Sequence, residues 1–221
     1  MIKKHYEFSY WLRVTHWIRV VAIIVLTVSG FYIASPFITP ASGGEPTNFM
    51  NALFRSWHII FGFLLIAVTI GKFYLFIFDK QSQVERKSFW DFINPKTWIQ
   101  QIGYYLLVSK HPHTKGAYNP LQFLAYAGIY ISLVMISLTG LILYVNVYHD
   151  GMGGLLYDVM RNFEAILGGL AWVRQLHHIF MWIFIIFLPI HVYLVIFNSV
   201  YGKHGDVDSI VSGYKWVKEK E

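Results

Sequence analysis

Four long apolar runs punctuate the chain, and the stretches between them hold most of its charge. The runs cover residues 14–33, 57–78, 121–147 and 176–197. Each is close to or longer than the ~20 residues a helix needs to cross a hydrocarbon core. A segment inside lipid must satisfy its own backbone hydrogen bonds, so each run predicts a transmembrane helix. Pro189 falls inside the fourth run and is tolerable there. Two further stretches are amphipathic. Residues 94–109 open on Pro95 and carry Trp98, Ile102 and Tyr105 at helical spacing. Residues 155–170 set Leu156, Val159, Met160, Phe163, Ile166 and Leu167 among Asp158, Arg161 and Glu164. Both patterns predict helices lying at the membrane interface. The expected fold is an all-α membrane protein: a four-transmembrane-helix bundle with one or two interfacial helices, forming a single domain over 1–221.

Lysine and arginine orient the runs. One side collects Lys3, Lys4, Arg13 and Arg19, then Lys72, Lys80, Arg86, Lys87, Lys96, Lys110 and Lys115, then Lys203, Lys215, Lys218 and Lys220. The other side holds Arg55, Arg161 and Arg174. The positive-inside rule then puts both termini in the cytoplasm. No A-x-A-like site follows the first run, so it is expected to stay as an anchor rather than be cleaved as a signal peptide.

Composition narrows the chemistry. The chain is 56% hydrophobic and 14% charged, against about 25% charged for soluble domains. Its net charge of +6 reads as anchoring charge. No soluble basic face or recognition module accompanies it, so nucleic acid is excluded as a partner. The absence of cysteine excludes disulfides, cysteine-ligated iron–sulfur clusters and covalent haem attachment. A redox cofactor held here must use other ligands, and neutral imidazole is the obvious one.

Of the ten histidines, His5, His111, His113, His149 and His204 lie in tails or connections, and His16, His58, His177, His178 and His191 lie in or beside the apolar runs. An ionisable residue at membrane depth is costly and signals function by default. His177 and His191 are fourteen residues apart. At about 100° per residue both fall on one helix face, ~21 Å apart along the axis. His178 is out of phase with His191 and packs elsewhere. The alternating direction of the runs then matches depths. His16 and His191 share the inner side, and His58 and His177 the outer side. Two imidazoles from facing helices can ligate a haem iron from both faces. Arg13, Arg55 and Arg174 each precede a histidine by three residues, a spacing that shares a helix face. Each is a candidate partner for a haem propionate. Gly30, Gly62, Gly71 and Gly140 offer gaps for a flat macrocycle or for close helix packing.

These residues resemble the b-type cytochrome subunit of membrane-bound nickel–iron hydrogenases. The resemblance rests on Arg13-Val-Thr-His16-Trp17 with Ser29-Gly30, on Arg55-Ser-Trp-His58 with Gly62, and on Arg174-Gln-Leu-His177-His178-Ile179 followed by Trp182, Phe187 and His191. It covers nearly the whole chain. It implies a dihaem cytochrome b domain in the bacterial inner membrane, with two haem b. On that reading His16/His191 and His58/His177 are axial pairs. The implied partners are the hydrogenase's small iron–sulfur and large NiFe subunits on the outer face. Electrons would pass from the outer haem to the inner one and then to a quinone, menaquinone or ubiquinone. Asn119, Gln122 and His113, near the start of the third run, are candidates to bind and protonate that quinone, although Asn119 before Pro120 also suits a helix cap. A related dihaem anchor of a formate dehydrogenase or thiosulfate reductase shares this layout. A haem-free transporter or structural anchor would leave the matched histidine depths to chance.

Overall fold

The apolar runs become the four longest helices of the computed structural model, which describes residues 2–38, 49–106, 108–109, 114–116, 118–200 and 206–218. In chain order the elements are β1 (Ile2–Tyr6), α1 (Tyr10–Ala34), α2 (Phe49–Phe78), α3 (Gln83–Phe92), α4 (Pro95–Tyr105), α5 (Pro120–Val145), α6 (Met152–Ile166), α7 (Leu170–Val200), α8 (Asp206–Ser212) and β2 (Tyr214–Lys218). Helices α1, α2, α5 and α7 are long and apolar enough to cross a membrane. Side chains such as Ile60, Ile70, Ile131 and Ile186 on them are exposed, as lipid-facing residues of a spanning helix are.

The long helices overrun the apolar runs at several ends. Helix α2 starts at Phe49 rather than Trp57, and α7 at Leu170 rather than Leu176. Hydrophobicity marks only the stretch in hydrocarbon. The backbone goes on forming helical bonds through polar turns such as Arg55-Ser56 and Arg174-Gln175 at the interface.

Packing divides the chain into two compact units, Thr15–Thr69 with Ser132–His191, and Met1–Val14 with Ile70–Ile131 and Val192–Glu221. The first draws on all four long helices. Aromatic contacts join them: Tyr32 stacks on Phe54 with centroids 3.8 Å apart, Phe63 meets Tyr144 edge-on, and Phe31 meets Trp182. Helix α6 is clamped on by a cluster of Ile142, Val145, Met160 and Val173. It is also tied by Glu164, which accepts from Arg161 and from Asn146 Nδ2 at 2.7 Å. It spans 152–166 rather than 155–170 because Gly168 and Gly169 adopt positive φ. The Gly169 N–H then closes on Glu164 O at 2.9 Å, a glycine stop of the usual kind.

The second unit holds most of what the apolar pattern does not contain. Strand β1 pairs antiparallel with β2, Ile2 opposite Lys218 and Tyr6 opposite Tyr214, so the two chain ends lie together. Helix α3 buries a polar stripe, Glu85, Ser88 and Asp91, and exposes Phe89 and Trp90. Its partners are specific. Lys72 of α2 meets Glu85 at 2.7 Å, with both side chains buried. Asp91 accepts the Lys115 and Gly116 backbone N–H groups, each at 2.8 Å. Ser88 accepts the Tyr118 N–H at 3.0 Å. Arg86 donates to the carbonyls of Phe76 and Asp79, which closes the end of α2. Helix α4 begins where Asn94 accepts from the Lys96 N–H, with Pro95 at its first position.

Removing one member of a buried ion pair strands the other charge. Lys72→Met alone is expected to cost about 3 to 5 kcal/mol, and Lys72→Met with Glu85→Gln much less. Thermal unfolding of the detergent-solubilised protein checks the order. A double variant no more stable than the single one would mean that the pair carries no such penalty.

Candidate functional site

Four histidines on three helices meet in two pairs within the first unit. The His58 ring of α2 and the His177 ring of α7 have centroids 6.3 Å apart. The His16 ring of α1 and the His191 ring of α7 are 6.5 Å apart. His177, rather than the exposed His178, faces His58. All four rings are partly buried.

The His58–His177 pair is held from behind. His58 Nδ1 lies 2.9 Å from Ser29 Oγ, and His177 Nδ1 lies 2.9 Å from Thr139 Oγ1. Each hydroxyl has one proton, and each has a backbone carbonyl one turn back to give it to. Ser29 donates to Val25 O at 2.7 Å, and Thr139 to Met135 O at 2.9 Å. With its proton given to the carbonyl, each hydroxyl oxygen can accept from ring Nδ1–H, the tautomer that leaves Nε2 its lone pair and orients a metal-ligating imidazole. The residue after each hydroxyl is glycine. A Cβ built on Gly30 would lie 3.4 Å from His58 Cε1, and one on Gly140 would lie 3.4 Å from His177 Cε1. Each ring thus lies against the backbone of the helix that carries its hydroxyl partner. Gly62 and Gly71 have nothing within 4 Å of such a Cβ.

In the second pair, the His191 ring stacks on Phe187 at 5.2 Å and 17°, and the His16 ring meets Trp17 edge-on. Among the described residues, no three His, Cys, Asp or Glu side chains gather to hold a metal ion. What the geometry offers is pairs of imidazoles.

The other candidates are placed as follows. Arg55 and Arg174 are exposed. Arg13 donates from Nη1 to Val211 O at 2.6 Å and lies over the Tyr10 ring. Asn119 and Gln122 cap α5 reciprocally. The Gln122 N–H donates to Asn119 Oδ1 at 2.9 Å, and the Asn119 N–H to Gln122 Oε1 at 3.1 Å, a capping box. His113 lies outside the described residues. Sequence reasoning missed Ser29 and Thr139 as ring partners. The signal that would have found them is a repeated dipeptide, Ser29-Gly30 on one span and Thr139-Gly140 on another.

A membrane-spanning helical protein with paired imidazoles in its interior has the ligand arrangement of a transmembrane cytochrome. The chain matches the model of the prokaryotic cytochrome b561 family over residues 7–213, and it belongs to that family. It is 26% identical to the probable Ni/Fe-hydrogenase B-type cytochrome subunit of Rhizobium leguminosarum bv. viciae, over 95% of this chain and 88% of that protein. It is 29% identical to the subunit of the same name from Azotobacter chroococcum mcd 1, over 94% and 87%. It is 26% identical to the probable Ni/Fe-hydrogenase 1 B-type cytochrome subunit of Escherichia coli K12, over 97% and 92%. The resemblance drawn from the histidine motifs is thus borne out. A b-type cytochrome carries haem b, and the residues present fit one. A metal–imidazole bond is about 2 Å long, so two imidazoles on opposite sides of one iron have ring centres about 6 Å apart. Both pairs have that spacing.

Because Asn119 and Gln122 close the start of α5, Asn119→Ala is expected to lower stability by about 1 kcal/mol, whereas Asn119→Asp keeps the cap. Thermal unfolding of the two variants side by side decides the matter, and equal loss in both would refute the capping role.

Proposed function

We propose that this chain is the electron-transferring membrane subunit of a nickel–iron hydrogenase and that it holds two haem b. The observation that carries this reading is the pair of imidazole pairs, His58/His177 and His16/His191, with ring centres 6.3 and 6.5 Å apart. When bound, the iron of each haem supplies one-electron carriage, and the protein supplies ligands, burial and orientation. His58 and His177 are held by Ser29 and Thr139 in the tautomer that leaves Nε2 for iron. His177 and His191 lie fourteen residues apart on α7, so α7 serves both pairs, ~21 Å apart by helix rise. Arg55 and Arg174, exposed beside the His58/His177 pair, and Arg13 are proposed to address the haem propionates.

The excess of lysine and arginine around the termini and the 79–119 connection supports a cytoplasmic position for both chain ends in a bacterial inner membrane. The His58/His177 pair then lies on the outer side and the His16/His191 pair on the inner side. The names of the similar proteins support a hydrogenase partner. Its small and large subunits would dock outside, electrons would travel inward between the two pairs, and a quinone would accept them on the cytoplasmic side. Asn119 and Gln122, which sit together at the start of α5, are proposed to address a quinone carbonyl.

Two experiments test this reading. In the purified complex, His16→Ala and His191→Ala are expected to lose the same haem, and His58→Ala and His177→Ala the other, each with about half of the reducible b-type absorbance. Loss of different haems within a pair would sink the pairing, and a wild type without b-type bands would sink the haem reading. Nickel in the purified complex supports the hydrogenase partner, whereas molybdenum or tungsten would replace it with a formate dehydrogenase or thiosulfate reductase. For the quinone, the double variant Asn119→Asp with Gln122→Glu keeps the cap and removes both NH2 groups. Slowed oxidation of the reduced haems by quinone is expected, and an unchanged rate would show that these amides do not bind it.

A further inference from the structure

The second unit contains a buried ionic cluster that the haem reading does not use. Lys72 Nζ on α2 lies 2.7 Å from Glu85 Oε2 on α3. The Tyr118 hydroxyl donates to the other carboxylate oxygen, Glu85 Oε1, at 3.0 Å. Lys72 is 5% exposed and Glu85 6%. Lys72 lies six residues inside the end of a spanning helix, about 9 Å by helix rise. A buried ion pair is a weak source of stability, because desolvating both charges offsets most of their attraction. An ionisable group at this depth therefore points to function.

The cluster continues along α5. Tyr118 immediately precedes the Asn119/Gln122 cap. Gln122, Tyr126 and Tyr130 follow at four-residue spacing and so share one helix face. The Tyr118 and Tyr126 rings are 4.8 Å apart. The Tyr130 ring lies 6.0 Å from that of Phe73, the residue after Lys72. A polar, hydroxyl-bearing stripe thus runs from the ion pair past the start of the span. A surface cleft of about 600 Å3 is lined by Lys87, Trp90, Thr114 and Lys115. Its Lys115 N–H is bonded to Asp91 of the same polar seam.

We infer that Lys72, Glu85 and Tyr118 form a proton-delivery site for quinone reduction at the start of α5. This rests on the quinone reading above and adds to it the source of the protons. Converting a quinone to a quinol takes two electrons and two protons. The electrons arrive by the haem route. The protons come from cytoplasmic water, and two O–H bonds form as the two carbonyls become hydroxyls. Each proton passes from the Lys72 ammonium to Glu85, and from Glu85 to the Tyr118 oxygen as the Tyr118 hydroxyl, turned from Glu85 to the quinone, gives its own proton to a quinone oxygen. Water then reprotonates Lys72. Both steps lie within hydrogen-bond reach, as proton transfer requires. Burial, followed by the charge of Glu85 and the neighbouring Tyr126 and Tyr130, holds the Tyr118 hydroxyl well above the usual tyrosine pKa. Tyr118 therefore stays protonated at rest and gives up a proton only as it receives another. The other charged groups of the seam are engaged otherwise: Arg86 with the Phe76 and Asp79 carbonyls, and Asp91 with backbone N–H groups.

The bland alternative is that the triad only docks α3 onto α2. Tyr118→Phe removes the last hydroxyl and keeps the ion pair. Lys72→Met with Glu85→Gln removes both charges together and guards against misfolding of a single charge variant. Each would be prepared as the intact complex, reduced with dithionite and mixed with a short-chain quinone, and haem oxidation would be followed optically from pH 6 to 9. Both variants are expected to keep the full reducible haem spectrum. Their oxidation by quinone should be slower by about tenfold or more, worst at high pH, and restored by added ammonium as a diffusible acid. Wild-type rates in both variants, or a deficit that neither deepens with pH nor responds to ammonium, would leave the docking role and overturn the relay. A wild type that quinone does not oxidise at any pH would instead overturn the quinone reading and the relay with it.

Discussion

An imidazole ring placed in hydrocarbon has two nitrogens to satisfy and no water to do it, and an unmet polar group there costs several kcal/mol. For His58 and His177, Nδ1 meets a hydroxyl from a neighbouring helix. The hydroxyl can accept because its own proton goes to the carbonyl one turn back. Nε2 of each ring is then the atom proposed to ligate an iron shared with the ring opposite. The glycine after each hydroxyl lies against the ring, where a Cβ would be 3.4 Å from its Cε1. The contacts among α1, α2, α5 and α7 in this unit bring two imidazoles to a spacing that one iron can bridge.

The two units handle polarity in the membrane differently. In the histidine unit, the His58 and His177 rings are each tied to one neutral hydroxyl, and the buried Glu164 carboxylate is met by Arg161 and Asn146. In the other, a full ion pair is buried and α3 turns its polar side inward. A charge pair gives little net stability when desolvated, and that is the ground on which the relay is proposed for it. The separation has a chemical logic. Electron transfer needs a dry, rigid setting, whereas proton transfer needs a chain of exchangeable hydrogens.

What could be read from the chain follows from physical range. The spans were legible because hydrocarbon thickness sets a length and apolar runs report it. The pairing of His16 with His191 and of His58 with His177 was legible because helix phase and alternating direction fix depth. It is these rings that lie 6.3 and 6.5 Å apart. Helix α3 was not legible, because the residues it buries are Glu85, Ser88 and Asp91, the reverse of an apolar stripe. The β1–β2 pairing was missed because it joins opposite ends of the chain, where local pattern carries no information. The roles of Ser29 and Thr139 depend on which helices become neighbours, which the apolar pattern alone does not decide. Asn119 and Gln122 cap α5 reciprocally, a contact that Asn119 ahead of Pro120 made legible in the chain.

One chain is proposed to supply two complete bis-imidazole sites. The ratio of haem b to this polypeptide in the purified complex tests this, with haem extracted and counted against quantitative amino-acid analysis. Two haems per chain are expected. A ratio of one would contradict the proposal, because one imidazole pair would then hold no iron.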